Sequence, residues 1–242
     1  MSSKITLSER AKFPVFLFTL VSFAVAGIIL TVKIILAYVN GVTEHTVYTN
    51  YILSLLQCAL GIFALFIPRI LQKKYRFTFS APLNITYCIF LYCAIFLGEV
   101  RNYYITVPIW DDILHGFSGV MGGIFAFTVI AVSIYSKNSE PPVISPLLIS
   151  LFAFVFSISI GALWEIYEFT MDRFLELNMQ KYRLNDGTPL IGRDALFDTM
   201  KDMVIDTFGA LIASFWGYLS LKNNSMWLSK YSKNRKVPKT NE

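Results

Sequence analysis

The sharpest chemical pattern in this sequence is a stripe of three aspartates, Asp198, Asp202 and Asp206, spaced four residues apart. Side chains at this spacing share one face of an α-helix. The uncharged run after Asp206 rises only about 22 Å as a helix, less than the roughly 30 Å core of a bilayer. We therefore expect the helix to carry Asp202 and Asp206 into the membrane, where acids are typical of cation, proton or substrate sites. A short tilted helix with neutralised acids is the alternative.

A second motif, Asp111-Asp112-x-x-His115, precedes an apolar run. The spacing lets Asp111 and His115 meet on one helix face. A carboxylate that orients an imidazole is typical of a general base or a metal ligand. Alternatively, the acids only favour the helix N-terminus and the histidine lies at the interface.

A third motif places Glu165, Glu168 and Asp172 on one face at the end of another apolar run. Acids at a helix C-terminus oppose the helix dipole and repel each other. They therefore require a cation, a proton or an arginine. Arg101 and Arg173 leave a structural ion-pair network open as an alternative.

Taken together, the three motifs supply the candidate site. The candidate catalytic residues are His115, Asp111, Glu165, Glu168, Asp198, Asp202 and Asp206. All of them except Asp206 are also candidate metal ligands. Such an oxygen-rich set with one imidazole suits a divalent cation, Mg²⁺, Mn²⁺ or Zn²⁺. The spacing matches no strong zinc motif, and neither a Ser-His-Asp elbow nor a phosphate-binding glycine loop is present.

The composition indicates what positions these residues. The 242 residues are 55% hydrophobic and 15% charged, whereas soluble domains carry about 25% charged residues. Long uncharged runs without period-2 alternation predict helices and not strands. We predict an all-α, polytopic transmembrane bundle of about six helices in a single domain. Its spans lie near 13–38, 47–68, 78–98, 113–135, 143–168 and 199–221, followed by a basic cytoplasmic tail at 222–242.

The distribution of charge predicts the orientation of the chain. Fourteen lysines and arginines fall on the side of both termini and five on the other side, so both termini are expected in the cytoplasm. Twelve of the sixteen acidic residues belong to the outer ends of the third to sixth spans and their loops. The net charge of +5 therefore indicates membrane flanks and not a nucleic-acid partner.

Smaller features complete the prediction. Ala24-Val25-Ala26 resembles a signal-peptidase site, but the apolar run continues beyond it, so we expect a retained first span. The three cysteines lie in apolar runs and are expected as small fillers. The pair Gly119-x-x-x-Gly123 favours close helix packing. The longest outer loop, Met171–Arg193, contains a predicted turn at Asp186-Gly187.

These motifs, in this order, resemble the YjdF-like family of bacterial inner-membrane proteins and, more distantly, VanZ-like membrane proteins. The resemblance covers Gly98–Gly217 and rests on the following pieces: Asp111…His115, Trp164-Glu165-Ile166-Tyr167-Glu168, and Asp198-Thr199-Met200-Lys201-Asp202-Met203 followed by Gly209-Ala210. VanZ-like proteins usually have an acid–glutamine pair where this chain has Glu165 and Glu168. The resemblance implies a multi-pass protein of a bacterial plasma membrane with an acidic polar centre, and VanZ-like proteins are associated with tolerance of glycopeptide antibiotics.

Three functions remain open from the sequence. The first is a metal-dependent enzyme that acts on a lipid or lipid-linked envelope substrate. The second is a small proton-coupled transporter or flippase that uses Asp202 and Asp206. The third is a non-catalytic membrane factor whose carboxylates hold a structural cation or bind a partner. The lipid bilayer is the expected environment in each case, and the sequence leaves the oligomeric state open.

Overall fold

A computed structural model describes residues 7–75, 79–135, 144–184 and 186–223. These residues form helices, and the only β pairing among them is one isolated bridge between Arg183 and Pro189. Six of the helices are long and apolar enough to cross a membrane. The prediction of an all-α bundle with about six spans is therefore confirmed. Nearly all of the predicted tail at 222–242 lies outside the described residues.

The helices in chain order are α1 (Leu7–Val39), α2 (His45–Tyr75), α3 (Ala81–Leu91), α4 (Tyr103–Thr106), α5 (Trp110–Tyr135), α6 (Pro146–Leu175) and α7 (Arg193–Lys222). Between α3 and α4 the chain continues as a π-helix, Tyr92–Val100. Helix α7 begins before the predicted start at 199, so the whole aspartate stripe lies on it. Helix α6 continues to Leu175, and the loop that follows it is therefore shorter than predicted.

Local sequence explains where two helices begin. The Ser80 and Ser145 side chains accept hydrogen bonds from the backbone N–H groups of Leu83 and Leu148, three residues later. A proline then occupies the first turn of each helix, where a missing N–H has no intrahelical partner to lose. Ser80 and Ser145 are therefore typical N-cap residues.

The chain divides into two compact units, Met1–Trp110 and Asp111–Glu242. The core of the first unit includes Phe23, Leu65, Cys88 and Leu91. All three cysteines are free, and Cys58 and Cys88 are buried, as expected for small apolar fillers. The prediction of one single transmembrane domain stays a prediction.

A proline inside α2 is compensated by a tyrosine of α3. Pro68 has no N–H to donate to the carbonyl oxygen of Ala64, four residues earlier. The Tyr87 hydroxyl donates to that oxygen at 3.0 Å. The tyrosine thereby replaces the hydrogen bond that α2 lacks and ties α3 to it.

In the second unit, glycines bring α5 and α7 into backbone contact. A Cβ atom on Gly119 would lie 2.5 Å from the carbonyl oxygen of Asp206, and one on Gly209 would lie 2.6 Å from that of Gly116. The Ser157 hydroxyl of α6 donates to the Gly119 carbonyl oxygen at 2.6 Å. Close packing at Gly119 was predicted from its motif and is confirmed.

In the second unit, large apolar side chains are exposed and several acidic side chains are buried, which is the reverse of the usual distribution in a soluble protein. Large apolar side chains such as Leu147, Leu163 and Trp216 are exposed, which suits contact with lipid. Seven acidic side chains of the same three helices are buried. The fold thus places these seven carboxylates away from the lipid-facing surface.

Candidate functional site

Seven carboxylates are buried in the second unit. They are Asp111 on α5, Glu165, Glu168 and Asp172 on α6, and Asp198, Asp202 and Asp206 on α7. Among the described side chains, only His115, Lys181 and Lys201 lie within ion-pair distance of these carboxylates. Buried carboxylates are costly unless they are paired. The excess of acids over cations therefore calls for protons or a bound cation.

His115 stands at the centre of this arrangement. Its Nδ1 atom lies 3.1 Å from Oδ2 of Asp206. An ionised carboxylate only accepts, so with Asp206 ionised Nδ1 is the donor. The other oxygen of Asp206 accepts from the Ser118 hydroxyl at 2.8 Å. The ring is therefore fixed in one orientation, as in the carboxylate–histidine pairs that support metal ligands.

The opposite ring nitrogen, Nε2, faces three carboxylate oxygens. It lies 3.7 Å from Oδ1 of Asp111, 3.9 Å from Oε1 of Glu165 and 3.9 Å from Oδ2 of Asp202. These distances are too long for hydrogen bonds. Two ligands that each lie roughly 2.0–2.2 Å from a shared ion are at most about 4.4 Å apart. The three distances from Nε2 fall within that limit. We call these four residues, Asp111, His115, Glu165 and Asp202, the central group.

Several oxygens of the central group lack a hydrogen-bond partner among the described residues. Asp202 is only 1% exposed, and neither of its carboxylate oxygens has a hydrogen-bond partner there. Oε1 of Glu165, which faces His115, is also buried and has no hydrogen-bond partner among the described residues. Unsatisfied buried groups of this kind are rare and call for an explanation such as an ion. One ligand atom from each of Asp111, His115 and Asp202 lies within 4.8 Å of the other two, so these three residues could hold one metal ion. Glu165, whose Oε1 lies 3.9 Å from His115, is outside this set of three.

A lysine from the loop after α6 covers one side of the central group. Nζ of Lys181 lies 2.5 Å from Oδ2 of Asp111 and 3.0 Å from Oδ1 of Asp198. Burial works to lower the pKa of this ammonium group, but the two carboxylates outweigh it and raise the pKa above its ordinary value. Lys181 therefore stays charged and is 35% exposed at the rim of the group.

The loop that carries Lys181 is anchored on both sides. The carboxylate of Asp172 accepts from the backbone N–H groups of Met179 at 2.7 Å and Gln180 at 2.9 Å. The Gln180 side chain donates to the Thr199 hydroxyl at 2.9 Å and contacts Glu165 at 3.4 Å. These contacts hold the backbone next to Lys181 against α6 and α7.

The tip of the loop forms the predicted turn at Asp186-Gly187. Gly187 has a positive φ of 87°, and the Asp186 carboxylate accepts from the Thr188 backbone N–H at 2.9 Å. That hydrogen bond lowers the pKa of Asp186. The turn is therefore explained by local structure.

The structure separates the predicted site residues into three groups. Asp111, His115, Glu165 and Asp202 form the central group, and Asp206 supports it from behind His115. Asp198 is bound by Lys181. One oxygen of Glu168, Oε1, accepts from the indole Nε1 of Trp164 at 2.9 Å. Glu168 and Asp198 are thus buried near the group but have partners of their own.

Among the described side chains, the carboxylates pair with His115 and two lysines and not with Arg173, one of the two arginines that left an ion-pair network open. Arg173 has no carboxylate within ion-pair distance among the described side chains, whereas Lys181 has two. Lys201 is 3.8 Å from Asp198, three residues earlier on α7, but its shorter contact, 2.6 Å, is with Asp112. Lys181 belongs to none of the three sequence motifs. Its distance along the sequence from Asp111 and Asp198 does not predict these contacts, because the course of a loop brings Lys181 to them.

Fold and site together define a class: a multi-pass membrane protein with a buried cluster of carboxylates around one histidine. Comparison with known proteins places it more closely. Residues 9–223 match the family described as "Predicted membrane protein (DUF2238)", and the chain belongs to that family. YjdF-like proteins are members of it, so this part of the predicted resemblance is confirmed.

One relative is an uncharacterized protein of Thermotoga maritima, which is 33% identical over 114 residues. The aligned part covers 47% of this chain and 50% of the relative, so the chain matches about half the length of that protein. No solved structure matches the chain.

Proposed function

We propose that the protein binds a divalent cation at Asp111, His115, Glu165 and Asp202 and uses it to hydrolyse a lipid or lipid-linked envelope substrate. The observation that carries the proposal is the geometry of His115. Its Nδ1 is held by Asp206, while its Nε2 faces three carboxylate oxygens at 3.7–3.9 Å without a hydrogen bond. A cation between these four atoms would satisfy the histidine and the unpartnered oxygens at once.

The donor set narrows the choice of ion. Three carboxylates and one imidazole suit Mn²⁺ or Zn²⁺, and Mg²⁺ is the further candidate. When bound, such an ion activates water for attack on a phosphate or an ester. Asp206 is the positioning residue for His115, because its Oδ2 contacts Nδ1 of the ring, whereas the other three carboxylates of the site face Nε2.

Lys181 has a role on the substrate side in this proposal. Its ammonium lies at the rim and is 35% exposed, while the side chains of the central group are each less than 10% exposed. A charged amine next to a metal centre is a natural contact for a phosphate group. The phosphate of a lipid-linked substrate would therefore approach from the loop side.

A second candidate is a non-catalytic membrane factor with a structural cation. The composition of the central group favours this candidate. All four atoms that would face the ion belong to the protein, and structural metal sites typically have only protein ligands and no open position for water. The more distant VanZ-like resemblance supports such a factor in the bacterial envelope.

The first experiment measures bound metal. The purified full-length protein is stripped with a chelator, titrated with Mn²⁺, Zn²⁺ or Mg²⁺, and analysed for ion content. Wild type is expected to bind one ion per chain, and Asp202→Asn and His115→Ala are expected to bind none. Asp112→Asn is the matched control, since Asp112 pairs with Lys201 and is not among the carboxylates within ion-pair distance of His115. No ion in correctly folded wild type, or an unchanged affinity in Asp202→Asn, would overturn the proposal.

A second experiment separates the two candidates. Metal-loaded protein is incubated with phospholipid and polyprenyl phosphate substrates, and released phosphate or headgroup is measured. Hydrolysis that requires the ion and is lost in Lys181→Gln, which keeps the central group intact, supports the enzyme. Ion binding that raises the unfolding temperature without any hydrolysis supports the structural cation.

The proposal also includes an orientation, with both termini in the cytoplasm of a bacterial plasma membrane. The support is the excess of lysine and arginine at the ends expected inside. Asp186→Cys places a thiol on the loop tip. Labelling of intact cells above the background of the native cysteines is expected. Labelling only after the cytoplasmic side is opened would reverse the orientation.

A further inference from the structure

The first unit contains a cavity of about 190 Å³ at the end where α1 and α3 begin and α2 ends. Its polar and aromatic lining includes Lys12 and Phe16 of α1, Arg69 and Gln72 of α2, and Asn84 and Tyr87 of α3. This cavity is formed by the first unit alone and does not involve the candidate metal centre.

The two cations of the lining are available to an anion. No carboxylate lies within ion-pair distance of Lys12 or Arg69 among the side chains that the structure describes. The Arg69 guanidinium stacks on the Phe16 ring at 4.3 Å. Stacking uses the flat face of the guanidinium and leaves its N–H edge free to donate, which suits a phosphate.

The charge around the cavity is strongly positive. Residues 7–16 of α1 and 65–75 of α2, which form this end, contain five lysines and arginines and one acidic residue. Basic pockets between membrane helices are suited to the headgroups of anionic lipids. An acidic ligand is therefore favoured over a neutral or cationic one.

Size and apolar lining distinguish a lipid from a free solute. Pockets that enclose a drug-sized ligand measure roughly 300–1,000 Å³, so this cavity holds only part of such a molecule. Phe13, which is 61% exposed, lines its edge, and the buried Leu65 and Cys88 line its interior. A phosphate between the cations with acyl chains outside on the apolar helix surface fits both observations.

We propose that Lys12 and Arg69 bind the phosphodiester group of an anionic phospholipid in this cavity. The phosphate accepts hydrogen bonds from the N–H edge of Arg69 and from Lys12 Nζ, and Phe16 keeps the guanidinium in place. The lipid acts as a non-covalent ligand that links the ends of α1 and α2.

The test uses full-length protein purified in detergent and native mass spectrometry with added phosphatidylglycerol. Wild type is expected to retain phosphatidylglycerol, and Arg69→Gln and Lys12→Gln to retain it about tenfold more weakly, as expected for losing one charge-assisted hydrogen bond. Lys73→Gln is the matched control, because Lys73 is an exposed charge one turn further along α2 and does not line the cavity. Because Lys12→Gln leaves the contact between Arg69 and Phe16 in place, weaker lipid binding in this variant would not result from the loss of that contact.

Three results would overturn the proposal. Equal losses in Lys73→Gln and Arg69→Gln would show general charge attraction. Equal retention of phosphatidylcholine and phosphatidylglycerol would show that the headgroup charge is not recognised. Displacement of the lipid by inorganic phosphate at the same concentration would show a site for free phosphate.

Discussion

Nδ1 of His115 lies 3.1 Å from Oδ2 of Asp206, which is 91 positions later in the chain. This contact joins α5 to α7 where Gly119 lets the two backbones meet. Because Ser118 occupies the second oxygen of Asp206, that carboxylate is committed to positioning. Asp202, one turn earlier on α7, has both oxygens unpartnered among the described residues and faces the other side of the imidazole. The two aspartates therefore differ in role although they belong to one stripe.

This difference gives the first prediction. Asp206→Asn removes the charge that orients His115 but no atom of the central group. Supporting partners of this kind typically change metal affinity by 10–100-fold. We expect Mn²⁺ or Zn²⁺ affinity to fall by about that factor in Asp206→Asn and to be lost in Asp202→Asn, as measured by titration of the purified protein. An affinity equal to wild type in Asp206→Asn would contradict the assigned role.

The second prediction concerns the helix contact beneath the site. In Gly119→Ala the new Cβ would lie 2.5 Å from the Asp206 carbonyl oxygen, which is backbone and cannot swing away. We expect a loss of about 1–3 kcal/mol in the free energy of unfolding, measured by denaturant titration in detergent. The control is Gly27→Ala, whose Cβ would lie 3.6 Å from a Leu55 methyl group. That change is expected to be neutral or slightly stabilising, since alanine favours helix.

The third prediction concerns the hydrogen bond between Tyr87 and Ala64. Tyr87→Phe leaves the Ala64 carbonyl oxygen without its donor, because Pro68 supplies none. We expect a cost of about 1–3 kcal/mol in the free energy of unfolding. In a Pro68→Ala background the alanine N–H donates to Ala64, so Tyr87→Phe should cost much less. Equal costs in both backgrounds would mean that the hydroxyl does not compensate for the proline.

The fourth prediction concerns pH and Lys181. The pKa of this ammonium is raised in the folded protein, so folding retains a proton that the unfolded chain releases as the pH rises. The resulting stabilisation is complete below the ordinary lysine pKa of about 10.4 and decreases above it. We expect the unfolding temperature of wild type to fall as the pH rises above about 10.4, and Lys181→Gln to lack this part of the decrease. Parallel curves for the two proteins would contradict the prediction.

Much of the architecture was predictable because a bilayer imposes strict requirements. Uncharged runs predicted the spans, and the four-residue spacing of Asp198, Asp202 and Asp206 placed them on one buried helix face. The pairing of Asp111 with His115 also followed from helical spacing, and their atoms lie 3.7 Å apart. Regular helices make such short-range geometry readable from sequence.

Contacts between elements were not predictable in the same way. Lys181 reaches Asp111 because Asp172 and Gln180 fix the course of a loop, and no periodicity describes that course. Glu168 shares a face with Glu165, yet it accepts its hydrogen bond from the neighbouring indole of Trp164. Spacing shows which residues share a face but not which of them reach the common centre.

The order of the helices along the chain has a consequence for biogenesis. Helix α7 is the least apolar of the six candidate spans, and an aspartate near the middle of a span disfavours its entry into the bilayer by about 2.5–3.5 kcal/mol. His115 and Ser118, which bind Asp206, belong to a helix that is synthesised earlier. When α7 leaves the ribosome, its partners are already in place, so insertion of this helix and assembly of the histidine cluster become one event.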